Sequence, residues 1–347
     1  MPVEPLFPDK YPPGTSTGVV ALLCEGPVEG YEAEFLREWS TKAPPKGRRV
    51  DVWACGTGAG VRGMADSLGR TVKTAVVLDR DFHDEDSSKA VYKEWATDAE
   101  KMGWSFLGVR MWNRNEIENY FLEEDVLLPV MTKAFGCADQ DVKNAVDSPL
   151  KLLVPFQALQ AAFQKTRDLW SDTDPAVLLQ AVDKTLPSYK PAWTVTGLTG
   201  IDPAQLEKDL PARLVKWRSE VCDKGGLREP WKGDAFLAAY AEAVKKWSAF
   251  SFASPEWRTT LAGKEVLKLV RQQLCAAKGG WWSEDKTNRQ PVAWSAMKNN
   301  RLRDKHDREV ENTLRPDFVG RLVELVVTNP TDTRWAEFAE LSAILAG

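Results

Sequence analysis

The sequence has only two histidines, and its five cysteines are scattered and odd in number. Cys24, Cys55, Cys137, Cys222 and Cys275 form no CxxC or CxxH spacing, which argues against a disulfide framework and against a zinc site. A reducing cytoplasm is the expected setting. No apolar run reaches about 18 residues, so no membrane span is expected. The opening MPVEPLFPDKYPP has neither a basic start nor an apolar stretch and does not read as a signal peptide. No repeat of fixed period is evident, and no Walker A loop occurs. Charge of one sign is scarce as well: the net charge is -4. A nucleic-acid partner would therefore need basic residues gathered locally, or supplied by another subunit.

What is present is a globular composition, 43% hydrophobic and 28% charged over 347 residues, enough chain for two domains. Fifteen tryptophans recur mostly among apolar positions and read as core. Residues 1–17 are proline-rich and read as an extended arm. From Gly18 strands and helices alternate. GVVALLCE, VDVWACG, TAVVLD and SFLGVRMW are apolar runs of buried-strand type, separated by VEGYEAEFLREW, the glycine-rich GTGAGVRGMADSLGR and SSKAVYKEWATDAEKMG. The glycine-rich stretch is expected to be a turn feeding a short helix. Four strands with three intervening helices predict an α/β parallel sheet flanked by helices over residues 18–129. Residues 130–347 read as an α-rich region, with PLKLLVPFQALQAAFQKTRDLW, AQLEKDLPARLVKWRSEV, DAFLAAYAEAVKKW and GKEVLKLVRQQL at helical spacing.

Acidic clusters fall at the carboxyl ends of three predicted strands, where open α/β sheets place their sites. The first holds Glu25 and Glu29. The second, AVVLDRDFHDED, crowds Asp79, Asp81, Asp84, Glu85 and Asp86 into eight residues. The third, Asn113–Asn119, holds Glu116 and Glu118. If strands one and three are neighbours, Glu25, Asp79 and Asp81 converge; in extended chain Asp79 and Asp81 share a face. Such hard oxygen donors suit Mg2+ or Mn2+. The plainer alternative is a solvated loop, which is the reading for Asp84, Glu85 and Asp86, with Asp86 or Ser87 capping the next helix. His83 has no partner motif and reads as a surface residue.

The order Glu25-Gly26-x-x-Glu29, glycine turn, then Asp79-x-Asp81 resembles the Toprim domain of topoisomerases, primases and OLD-family nucleases. The resemblance implies acid–base or metal chemistry for Glu25, metal binding for Asp79 and Asp81, and a second-metal position for Glu29. The segment Arg114-Asn115-Glu116-Ile117-Glu118-Asn119-Tyr120 is similar to the EIENY segment of Toprim proteins in bacterial defence, which makes Glu118, and less directly Glu116, a late carboxylate. Gly263-Lys264-Glu265-Val266-Leu267 resembles a G-K-x-(I/V/L)-L segment of the same proteins. It implies a return of the chain to the active site around 260–275, with Lys264 as a phosphate contact and catalytic residue; a solvated helix lysine is the alternative. What the resemblance implies is a Mg2+-dependent nuclease, cytoplasmic, acting on DNA, tRNA or other RNA. It would be the toxic effector of a separate ABC- or AAA-type ATPase in an anti-phage system of the PARIS-like kind, with a homodimer as a further expectation. No winged-helix signature with a nucleophilic tyrosine and no primase-type zinc module accompany it.

Rival readings stand beside this one. Gly58-Ala59-Gly60-Val61-Arg62-Gly63 is a literal GxGxxG after a strand, with Asp79 ending the next strand, as in dinucleotide-binding folds. Against it, the helix expected after Gly63 is short and acid follows Asp79 at once. A haloacid-type phosphatase would carry its DxD on the first strand. A third reading is a Toprim-like module that binds nucleic acid or an ATPase without cutting. For nucleic acid, Arg114, Lys298, Arg301 and Arg303 are candidate contacts. Residues 264–308 hold eleven Lys/Arg against five Asp/Glu, with Trp281, Trp282 and Trp294 interleaved. A charged helix face over core tryptophans explains the same stretch, and the alternating signs at its end favour solvated salt bridges.

Overall fold

The computed structural model describes residues 18–45, 48–81, 83, 85–165, 233–277 and 300–347; the expected arm at 1–17 lies outside the described residues. Two compact units emerge. One takes the chain up to Arg80, Glu85–Ile117 and Pro316–Gly347; the other takes Asp81–Asp84 and Glu118–Arg315. The expected boundary at 129/130 thus moves to 117/118. The last 32 residues, assigned from sequence to the helical region, fold with the strands instead.

In the first unit β1 (Val19–Cys24), β2 (Arg49–Ala54), β3 (Lys73–Leu78) and β4 (Phe106–Met111) alternate with α1 (Tyr31–Lys42), α2 (Gly58–Leu68) and α3 (Glu85–Met102). All pairings are parallel and the strand order is β2-β1-β3-β4. β1 and β3 are the central strands, and Val20 to Cys24 and Ala75 to Leu78 are buried. Continuous apolar runs are what strands covered on both faces require. One layer joins Ala21, Leu23, Val76 and Leu78 to Val61, Ala65 and Leu68 of α2 and Trp95 of α3. Residues of the other parity face the second layer. There Phe338 of the C-terminal helix Ala336–Ala346 packs at a tilt against Phe35 and Trp39 of α1 and against Trp112, centroids 5.0–6.2 Å apart.

The glycine-rich stretch is not a turn. Gly58, Gly60 and Gly63 all lie inside the 11-residue α2, capped by Thr57, whose Oγ1 accepts from Gly60 N at 3.2 Å. Burial of Val61, Ala65 and Leu68 outweighs the roughly 1 kcal/mol helix penalty of each interior glycine.

The second unit is helical among its described residues. It holds α4 (Glu124–Phe135), α5 (Asp139–Lys165), α6 (Gly233–Trp247), the single turn α7 (Trp257–Thr260), α8 (Gly263–Ala277) and the first part of α9 (Asn300–Thr328). α5 packs against α6 and α8. The expected helix over AQLEKDLPARLVKWRSEV lies outside the described residues. No helix among the described residues is long and apolar enough to cross a membrane. The expected α/β class, a parallel sheet with flanking helices followed by helices, is what the chain adopts.

Candidate active site

Parallel strands in the order 2-1-3-4 have a topological switch between β1 and β3, because the chain leaves β1 toward one edge and reaches β3 on the other side. Sites in open α/β sheets form beyond the carboxyl ends of the strands at such a switch. Glu25 follows β1 directly and Asp79 follows β3 directly, on strands paired from Val20↔Lys73 to Leu23↔Val76. Both side chains are half-buried.

Local backbone chemistry fixes Glu25. Cys55 N donates to Cys24 O at 2.9 Å, and one residue on, Gly26 and Gly56 exchange both backbone hydrogen bonds, 3.3 and 2.9 Å. Glu25 lies between these two ties. Gly26 and Gly56 have φ of +80° and +82°, backbone that other residues adopt only with strain. That is why glycine follows the glutamate. A Cβ on Gly58 would stand 3.4 Å from Glu25 Oε1, so the carboxylate lies against the amino end of α2, where the helix dipole favours negative charge.

Asp79 is clamped on both sides by the chain after β4. Trp112 N donates to Leu78 O at 3.1 Å and Arg80 N donates to Asn115 O at 2.7 Å. Arg80 Nη1 also donates to Asn113 O at 2.6 Å. The central arginine of Asp79-Arg80-Asp81 therefore ties two loops together. Asp81 departs from expectation: its φ of +46° is left-handed, which aspartate tolerates better than most residues. The extended geometry that would have put Asp79 and Asp81 on one face is absent, and Asp81 is exposed.

The thiols beside the site register its charge. Burial, then the Glu32 carboxylate, Cys55 and Asp79, push the buried Cys24 thiol far above its ordinary range, against the lowering pull of Arg37. Cys55 is pushed up to about 11 by burial, with Glu32 and Glu25 adding to it against a backbone hydrogen bond at Cys24. Three carboxylates, Glu25, Glu32 and Asp79, thus act on one pair of cysteines. Glu32 was not expected from sequence. It is buried in the first turn of α1, and its Oε1 accepts from Trp112 Nε1 at 2.7 Å. An acid just inside a helix start reads as a dipole partner, and only the tertiary fold brings it beside Trp112.

Of the other expected residues, Glu29 is exposed in the loop before α1 and Glu116 is half-buried. Arg114 is buried and its charge acts on Glu337, so it is not displayed on an open surface. Glu85 and Asp86 open α3 as exposed first-turn acids; Asp84 and the Ser87 side chain lie outside the described residues. Lys298 also lies outside them, as do the side chains of Arg301 and Arg303.

In the second unit the two short segments singled out from sequence meet. Asn119, fully buried, donates through Nδ2 to Arg258 O (2.8 Å) and Leu261 O (2.6 Å) and accepts from Gly263 N (3.2 Å). A Cβ on Gly263 would lie 2.7 Å from the Glu118 carbonyl carbon and closer still to Asn119 N, so only glycine permits this approach. Burial raises the Glu118 carboxyl while Lys264 lowers it. Glu265 is raised for the same reason, opposed by Lys268 and Lys264. Lys264 itself is exposed. Glu118 and Lys264, nearly 150 residues apart in sequence, are therefore electrostatic neighbours.

Among the described residues no group of three or more His, Cys, Asp or Glu side chains is disposed to hold a metal ion. Glu25 and Asp79 are oxygen donors at the ends of adjacent strands, and the donor type is the one Mg2+ takes, commonly one or two carboxylates completed by water and phosphate. Glu25, Glu29, Asp79, Asp81, Glu116 and Glu118, the carboxylates expected from sequence, supply no such group of three among the described residues. Comparisons with protein-family models, with curated proteins and with solved structures give no match.

Proposed function

We propose that the chain is a Mg2+- or Mn2+-dependent Toprim nuclease that hydrolyses phosphodiester bonds in DNA or RNA, tRNA included. In this reading it is the effector of a separate ABC- or AAA-type ATPase in anti-phage defence. The observation that supports the chemistry is the pairing of β1 with β3, which sets Glu25 and Asp79 at adjacent strand ends beside the topological switch. The defence role and the ATPase rest on the resemblance of the EGxxE, DxD and EIENY segments, an argument by analogy.

In this reading Asp79, with its backbone held on both sides, is the fixed oxygen donor, and Glu25 is donor and proton acceptor at the attacking water. Glu29, Asp81, Glu116 and Glu118 are candidate further carboxylates, and Lys264 is the phosphate contact. When bound, a divalent cation supplies neutralisation of phosphate oxygens and a more acidic water. Glu25 also speaks against the dinucleotide reading. Its carboxylate lies at the amino end of α2, the place a pyrophosphate would occupy.

One observation favours a second reading, a Toprim-like module that binds without cutting: no preformed group of three ligands exists among the described residues. Cleavage of DNA and total tRNA with Mg2+ or Mn2+ separates the two. The nuclease reading expects activity that is lost in Glu25→Gln and Asp79→Asn with the fold intact by circular dichroism. Cleavage persisting in both variants refutes the assigned site, and binding without cleavage by the wild type, with its ATPase present, favours the module.

A further inference from the structure

The C-terminal helix Ala336–Ala346 carries a carboxylate that the proposed chemistry does not use. Glu337 is only 2% exposed, and its Oε2 accepts from Asn113 N at 2.7 Å. Asn113 belongs to the stretch that clamps Asp79. Its carbonyl accepts from Arg80 Nη1, and its side chain Oδ1 accepts from Arg110 Nη2 at 2.7 Å. Trp112 and Asn115 on either side hold Leu78 O and Arg80 N, the two backbone neighbours of Asp79. An unbroken path of hydrogen bonds thus runs from Glu337 through Asn113 to Arg80 and the chain at Asp79.

We propose that Glu337 is a positioning residue for the candidate active site, holding the loop after β4 and, through Asn113 and Arg80, the geometry of Asp79. This rests on the reading of Asp79 as a cation donor. Buried polar groups are kept only where they are satisfied, and Glu337 satisfies a backbone N–H at the strand end that frames the site. It also anchors the C-terminal helix there, and Arg110 Nη1 reinforces the anchor through Glu340 at 2.9 Å. The charged groups around it are Arg110 and Arg114 from the β4 side and Glu340 from its own helix. On α1, Glu32 is committed to Trp112. Burial, opposed by the Asn113 N–H and the two arginines, raises Glu337 to about 7. The ionised form, prevailing above that pH, makes the stronger bond to Asn113, so the clamp on Asp79 tightens as pH rises through neutrality.

The test uses the full chain with Mn2+ as probe, titrated from pH 5.5 to 8.5, together with hydrogen exchange at the amides of Asn113 and Arg80. Glu337→Asp keeps the charge and shortens the reach. It should weaken Mn2+ binding about tenfold or more, as loss of an outer-shell partner does, and speed exchange at both amides. Glu337→Gln keeps a neutral acceptor for Asn113 N; it should match wild-type affinity below pH 7, lack the gain that wild type shows above it, and so erase the inflection near pH 7. Wild-type affinity and unchanged amide exchange in Glu337→Asp would overturn the proposal, as would an inflection that survives in Glu337→Gln. Failure of the metal reading shows separately: Mn2+ binding would then be indifferent to Glu25→Gln and Asp79→Asn, while the exchange measurement still decides whether Glu337 holds the loop.

Discussion

Replacing Asn119 by alanine should remove the pin that joins the EIENY segment to the start of α8. The side chain is fully buried and makes three hydrogen bonds, to Arg258 O, Leu261 O and Gly263 N. Truncation leaves two carbonyls and one N–H without that partner in a buried setting, and each such group costs about 1–3 kcal/mol. The bond to Gly263 N is long at 3.2 Å, so the lower end of the range applies there and the expected loss is at least about 3 kcal/mol. Asn119→Asp provides the sharper case. It is nearly isosteric, but it turns the doubly donating amide nitrogen into an oxygen facing two carbonyl oxygens, so it should cost at least as much as alanine. Urea unfolding followed by far-ultraviolet circular dichroism measures both losses as a lower midpoint at unchanged slope. If either variant lies within about 0.5 kcal/mol of wild type, the ordinary range for inconsequential surface changes, the pin is not what holds these segments together.

Other perturbations bear on the remaining parts of the fold. Gly58→Val should crowd Glu25, because a bare Cβ already reaches 3.4 Å from Oε1; cleavage should fall by about tenfold or more with the fold retained, and wild type should show no NAD(H) binding by calorimetry. Arg271→Met strips Asp307 of its bidentate partner at 3.3 and 3.4 Å and Glu311 of a contact at 3.0 Å. Removing one side of a pair this buried should cost about 3–5 kcal/mol in denaturant titration. Glu337 takes up a proton on folding between its ordinary 4.5 and about 7. Its contribution to stability is thus present below pH 4.5, declines through the window and is gone above 7. Glu337→Gln should therefore gain up to about 3 kcal/mol over wild type at pH 8 and almost nothing at pH 4.5; equal gains at both values would show that the carboxyl does not titrate there. Cys24, and Cys275 at about 12, should resist iodoacetamide at pH 7.5 in the folded protein and react once it is denatured.

Much of the sheet was legible in the sequence because strands buried on both faces must be continuously apolar, and GVVALLCE and TAVVLD have no other easy use. An acid ending each of two such strands was legible as a candidate site for the same reason, since a carboxylate at a strand end has left the core. Composition and pattern also determined the helical character of the described residues from 124 onward. Three features were not legible. The glycines of α2 looked like a turn because local propensity opposes a helix there; Thr57 as cap and burial of Val61, Ala65 and Leu68 decide otherwise. Asp79 and Asp81 looked like a matched pair because alternation holds only in extended chain, and a φ of +46° at Asp81 breaks it.

The third feature is long-range contact. Nothing in Glu337, or in the buried Asn119, announces a partner 224 or 144 residues away, because a hydrogen-bonding side chain carries no address in its own sequence. The sequence by itself determined which residues had to be buried and which carboxylates were left at strand ends. Only the tertiary structure decided that β1 lies beside β3, so that Glu25 and Asp79 end adjacent strands, and that the last helix returns to hold the loop that holds Asp79. Strand order and helix return are set by how apolar faces pack against one another, a property of the whole chain rather than of any segment.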